Sequence, residues 1–157
     1  MLGTIVICVF IWIPLYLVRA SNDKRRPENK NEVLLYIESA QEMLAVAEQN
    51  LRNGYHTSAV NRAYYAIFYA ANAVLATVGE SRSKHSGVIG LFRKLFIKSG
   101  ELPIDLSDIY GRIMDNRQRG DYDLGLQVDR EQAKTDLEDA RRFVDKVEQW
   151  LKEKNWL

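Results

Sequence analysis

The chain has 157 residues, 46% hydrophobic and 27% charged, with a net charge of +1. That profile fits one globular domain large enough for a real core. One cysteine, Cys8, and two histidines, His56 and His85, exclude an intramolecular disulfide and a thiolate or zinc centre, so no metal and no cofactor are expected. The charge is uneven, +3 over residues 1–30 and −2 over the rest. Any nucleic acid must therefore be held at a local site rather than on a polybasic surface.

Residues 1–20 read as an apolar segment separate from the remainder of the chain. Residues 2–18 carry no charged side chain and would span roughly 26 Å as a helix, the low end for crossing a bilayer. Arg19, Lys24, Arg25 and Arg26 succeed the run and no cation precedes it. As a membrane anchor it would leave the C-terminal part in the cytoplasm. A start codon placed upstream of the natural one, or a secretory signal without its basic leading region, are the other two readings. Residues 21–30 are a basic linker, and the domain pattern occupies 31–157.

The first helix of that domain is marked by Val33, Ile37, Ala40, Leu44, Ala47 and Leu51 at steps of three and four, and ends at Asn53-Gly54 as a left-handed cap. The second runs from about Thr57 to Val78. Ala59, Ala63, Ala66, Ala70 and Ala73 make a small-residue ridge, and Tyr64, Tyr65, Phe68 and Tyr69 cover the other faces. A helix apolar nearly all round belongs at the centre of a bundle. Val88, Phe92, Leu95 and Phe96 form the apolar side of a third, and Pro103 suits the first turn of a fourth. Asp129 with Gln132 announces a fifth in a variant capping box, continued by the stripe Ala133, Leu137, Ala140, Val144, Val147 and Leu151. With no strand-period segment, the fold class is all-α, an antiparallel bundle of about five helices.

On the fourth helix, Leu106, Ile109, Tyr110 and Ile113 share one arc, and Arg117 falls inside it. Arg112 and Arg119 fall outside and are expected in water. A guanidinium on an inward arc must be paired, as with Asp121, or placed in a cleft. Lys84 and His85 at the entry to the third helix offer a cation and an imidazole suited to an anion, or His85 merely packs there. Within the second helix, Asn61 and Asn72 are expected to be hydrogen-bonded in the core or across a dimer, with pocket lining as the alternative.

Three segments carry a resemblance: NRAYYAIFYAANAVL from Asn61, KHSGV from Lys84, and NRQRGDY from Asn116. In order and spacing they resemble the HEPN family, small helical domains linked to nucleotide and RNA chemistry, over roughly residues 31–157. HEPN ribonucleases carry an arginine and a histidine with four to six residues between them, and the pair meets its copy at a dimer interface. There the arginine stabilises a phosphate while the histidine helps a 2′-hydroxyl attack it, without metal. Here Arg117 matches the arginine and Tyr122 stands where the histidine would; no histidine occurs after His85. A tyrosine, with a pKa near 10, is a poor general base at neutral pH. The form with Asp121 and Tyr122 is similar to the branch found beside small nucleotidyltransferases. The resemblance thus implies a homodimeric nucleotide- or RNA-binding partner of a minimal nucleotidyltransferase, in a toxin–antitoxin-like pair, with binding rather than cleavage as its role. Asn116, Arg117, Asp121, Tyr122, Lys84 and His85 are the binding candidates. Arg117 and Tyr122 are the catalytic candidates if the chain is instead a metal-independent endoribonuclease. A membrane-tethered helical interaction module is the remaining alternative.

Overall fold

The computed structural model describes the backbone of residues 15–80, 85–122 and 128–157, and the side chains of 28–80, 86–120 and 128–157. Five α-helices succeed one another: α1 (Leu15–Arg52), α2 (His56–Ala76), α3 (His85–Phe92), α4 (Asp105–Tyr122) and α5 (Arg130–Glu153). A π-helical turn, Arg93–Ile97, continues α3. Among the described residues there is no strand and no helix long and apolar enough to cross a membrane. Residues 1–14, most of the apolar N-terminal run, lie outside them. The α1 backbone is already helical from Leu15, through the polar stretch 21–30.

The stripe on α1 is its buried face: Val33, Ile37, Ala40, Leu44 and Ala47 are all buried. The helix stops where Gly54 takes a positive φ of 80°. The Tyr55 amide then donates back to the Asn50 carbonyl at 2.9 Å, closing the turn without the Cβ clash another residue would meet. At His56 the chain enters α2, which packs back along α1.

Helix α2 also packs against α3, α4 and α5, as expected of a helix apolar on every side. Its alanine ridge, Ala59, Ala63, Ala66, Ala70 and Ala73, is wholly buried, and small residues there let neighbouring backbones approach. The larger volume comes from a four-ring cluster. Tyr64, Phe92, Tyr110 and Phe143, all fully buried, bring α2, α3, α4 and α5 together with centroid separations of 5.5–6.2 Å. Each ring contributes about 1.5–3 kcal/mol by burial alone.

Asn72 is 1% exposed and donates to the Phe68 carbonyl at 2.9 Å, the core hydrogen bond expected of it. Pro103 lies two residues before α4 rather than in its first turn, and its carbonyl accepts from the Leu106 amide at 3.2 Å. The cap of α5 is half a box. Asp129 accepts from the Gln132 amide at 2.8 Å, but the Gln132 side chain turns to Asp136 instead, at 3.1 Å.

Candidate functional site: two arginines on one tyrosine

Arg117 continues the buried face of α4 one turn past Ile113, where the bundle ends. It is half-buried, and its guanidinium lies over the Tyr64 ring at 5.3 Å and the Tyr65 ring at 5.9 Å. Cation–π contact of this kind is worth ~0.5–2 kcal/mol, more as water is excluded. Burial pushes the Tyr64 phenol up to about 12, with Arg117 pulling the other way. The ring therefore stays neutral and offers the arginine a π-face rather than an anion.

A second arginine uses the neighbouring ring as well. Arg62, one turn before Tyr65 on α2, places its guanidinium 5.3 Å from the Tyr65 centroid, with Nη1 3.9 Å from Met43 Sδ. Beside it a depression of about 400 Å³ opens at the α1–α2 corner, lined by Asn50, Thr57, Ser58, Asn61 and Arg62. The Asn61 Oδ1 is buried and has no hydrogen-bond partner among the described residues. The first turn of α2 holds no acidic residue and no side-chain cap.

The end of α4 is brought to this corner by Gly120. A Cβ there would lie 3.1 Å from the Thr57 methyl and 3.5 Å from a Val128 methyl. A side chain in place of the glycine of the Arg-Gly-Asp-Tyr stretch would therefore sit tightly against these two methyl groups.

Asn116 and Arg112 face the other way, toward α5. Arg112 donates to Asp136 Oδ1 at 2.7 Å and to Asp139; Asn116 donates to both Asp136 oxygens at 2.9 and 3.2 Å. The expectation that Arg112 points to water is therefore corrected. Helical angle places a residue relative to its own stripe, and the acidic flank of α5 covers the side where Arg112 emerges. Arg119 is exposed as expected. Burial pushes the Asp136 carboxyl up, outweighing the donors from Asn116, Arg112 and Gln132.

Of the six binding candidates, then, Arg117 and Asn116 are adjacent in sequence but serve different neighbours, α2 and α5. Asp121 and Tyr122 close α4 and His85 opens α3; their side chains, and Lys84 altogether, lie outside the described residues. Sequence reasoning passed over Arg62 and Asp136. Both left a signal: Arg62 stands i,i+3 from Tyr65, and Asp136 interrupts the inward positions of α5 between Ala133 and Ala140. Chemically, the described residues assemble guanidinium groups, hydroxyls and amides suited to holding an anion.

A family model for the HEPN domain matches residues 33–150. A UPF0332 protein of Thermotoga maritima is 38% identical over 114 residues, covering 73% of this chain and 86% of its own length. Two proteins of Methanocaldococcus jannaschii, named "Putative toxin MJ0142" and "Putative toxin MJ0605", are 34% and 36% identical over 128 residues. They cover 82% and 79% of this chain, and 87% and 92% of their own lengths.

Proposed function

The chain belongs to the HEPN family, and from that premise we propose that it is a toxin-like HEPN protein that binds a nucleotide or RNA phosphate through Arg117. The observation that carries this reading is the half-buried guanidinium held over Tyr64 and Tyr65. An arginine fixed by two rings is pre-organised, so little side-chain entropy is lost when a phosphate arrives, and partial exclusion of water strengthens the charge-assisted hydrogen bond. The names of the two M. jannaschii relatives support the toxin-like role. In this reading the domain acts as a homodimer and is held in check, or modified, by a small nucleotidyltransferase. Binding rather than cleavage is its activity, because Tyr122 stands where a ribonuclease of this family carries its base.

The test is a binding titration of the full chain with short single-stranded RNA and with mononucleotide. Arg117→Ala should lose ~1.5–3 kcal/mol of affinity, the range for a hydrogen bond to a charged group. Arg119→Ala should change little. Arg112→Ala is unsuitable as a control, since it would also cut the tie to Asp136. Equal losses at Arg117 and Arg119 would point to diffuse electrostatics and end the assignment. RNA cleavage leaving 2′,3′-cyclic phosphate ends, and lost in Arg117→Ala, would replace binding with catalysis.

A further inference from the structure

We infer that Asp136 of α5 is a positioning residue for Arg117: through Asn116 and Arg112 its carboxylate fixes the rotation of α4 about its own axis, and so holds the Arg117 guanidinium over Tyr64 and Tyr65. This rests on the proposed reading of Arg117 as a phosphate-binding group. Asp136 is 0% exposed, and a carboxylate so placed is tolerated only where donors meet it. Two of the three residues that donate to it stand on α4: Arg112 at 2.7 Å, and Asn116 at 2.9 and 3.2 Å. The third, Gln132 at 3.1 Å, is on its own helix. The carboxylate thus serves the contact with α4. Exchanging a whole buried polar set for apolar residues is often neutral for stability, so the value of this one lies in direction.

Arg112 and Asn116 stand one turn apart on one flank of α4, and Arg117 is turned from Asn116 by about 100°. Locking that flank against α5 therefore aims Arg117 at α2. Apolar packing has no such directionality, whereas a hydrogen bond weakens steeply off its axis. Small rotations matter here. The guanidinium lies 5.3 and 5.9 Å from the two ring centroids, already near the ~6 Å reach of a cation–π contact. Turning α4 by ~20° would move a group at the helix's outer radius of ~6 Å by about 2 Å, enough to carry the cation off both faces. The other flank of α4 is tied by Arg93, whose Nε donates to Ser107 Oγ at 2.8 Å and whose Nη2 donates to the Ser107 carbonyl at 3.1 Å. Ser107 lies in the first turn of α4, at the end remote from Arg117. Asn116 is the chain neighbour of Arg117, so the tie to Asp136 is the one that governs its direction.

The experiment reads the place of Arg117 and its affinity separately, on the full chain. The Arg117 Nε is buried, so its N–H exchanges slowly and gives an NMR signal shifted by the two ring faces; Arg117→Lys identifies the signal by removing it. Affinity is read by fluorescence anisotropy with labelled oligoadenylate. Asn116→Ala leaves Arg117 untouched, yet it should move the signal toward that of a free arginine and weaken binding about fivefold or more, the scale of one hydrogen bond. Asn116→Asp sets two carboxylates face to face and should do the same. The exchanged pair, Asn116→Asp with Asp136→Asn, again opposes one carboxylate to one amide and should recover both readouts. Arg141→Ala cuts the 2.7 Å tie of α5 to Glu48 on α1 and should keep affinity within about twofold of wild type, with the signal in place. An unmoved signal in Asn116→Ala overturns the inference, and so does a moved signal at wild-type affinity. Equal effects in Arg141→Ala would mean general loosening and overturn it too, as would an exchanged pair that folds but recovers nothing. If the exchanged pair does not fold, Asn116→Ala decides alone. No binding by the wild type overturns the function, and the signal of the ligand-free protein then decides by itself whether Asp136 holds Arg117 on the rings.

Discussion

At the scale of single residues, the amides of α2 and the buried carboxylate of α5 differ in their partners. The Asn72 amide nitrogen has a backbone acceptor and Asp136 has three donors, whereas the buried Oδ1 atoms of Asn61 and Asn72 have none among the described residues. Replacing an unsatisfied polar group by an apolar one of similar shape is neutral or stabilising. Asn61→Leu should therefore hold or raise the melting temperature of the ligand-free protein. A drop of more than about 4 °C, roughly 1 kcal/mol for a domain of this size, would show that the amide is structurally engaged. Asp136→Ala should do the opposite. It removes the acceptor for Arg112, Asn116 and Gln132, at a cost of about 2 kcal/mol once the half-exposure of Arg112 is allowed for, readable by urea denaturation. Because burial raises the Asp136 pKa, folding favours its protonated form. Stability linked to that proton is fully present below the usual aspartate range and is lost as pH rises through the raised value. Carboxyl NMR titration should find Asp136 above ~3.9, the ordinary aspartate value; a pKa at or below it would mean that the donors outweigh burial.

Among elements, the meeting of α4 with α2 decides where Arg117 ends up, and Gly120 decides how closely they meet. Gly120→Val would force its side chain against Thr57 and Val128. Overpacking of that kind costs ~1–3 kcal/mol, and the displaced helix end should weaken phosphate binding while leaving Arg117 in place chemically. An unaltered melting temperature and affinity would show that the end of α4 yields freely. The five-helix bundle itself was legible from one-dimensional pattern. The stripe from Val33 to Ala47, the ridge from Ala59 to Ala73 and the stripe from Ala133 to Leu151 each specify a face, and that face is the buried one. What pattern does not specify is the azimuth of one helix about another. Arg112 lies outside its own helix's stripe yet meets Asp136 and Asp139, because α5 covers that flank. Arg62 was missed for the same reason: its partner ring is local, but the second arginine on that ring arrives from a helix over forty residues later.

For the whole molecule, α2 is the element through which every other helix is connected. Its first turn lies close to the Arg117 end of α4, since a Cβ at Gly120 would come within 3.1 Å of the Thr57 methyl. The expected assembly is a homodimer with the Arg117 end of α4 facing or flanking the interface, checked by light scattering on the full chain. A single monomeric species across the concentrations used for binding would remove that expectation. Dimerisation and ligand binding would then be separable, and the monomer would be the unit to titrate.

The ring shared by Arg62 and Arg117 has a thermodynamic corollary. Cations that draw on one π-cloud from two helices do not contribute independently, so whatever neutralises one changes the free energy of the other. A double-mutant cycle between Arg62→Ala and Arg117→Ala should therefore close with a non-zero coupling, on the order of 0.5 kcal/mol or more. That coupling should vanish when Tyr65→Leu removes the medium through which the two communicate. If it survives the loss of the ring, the link runs through the ligand alone.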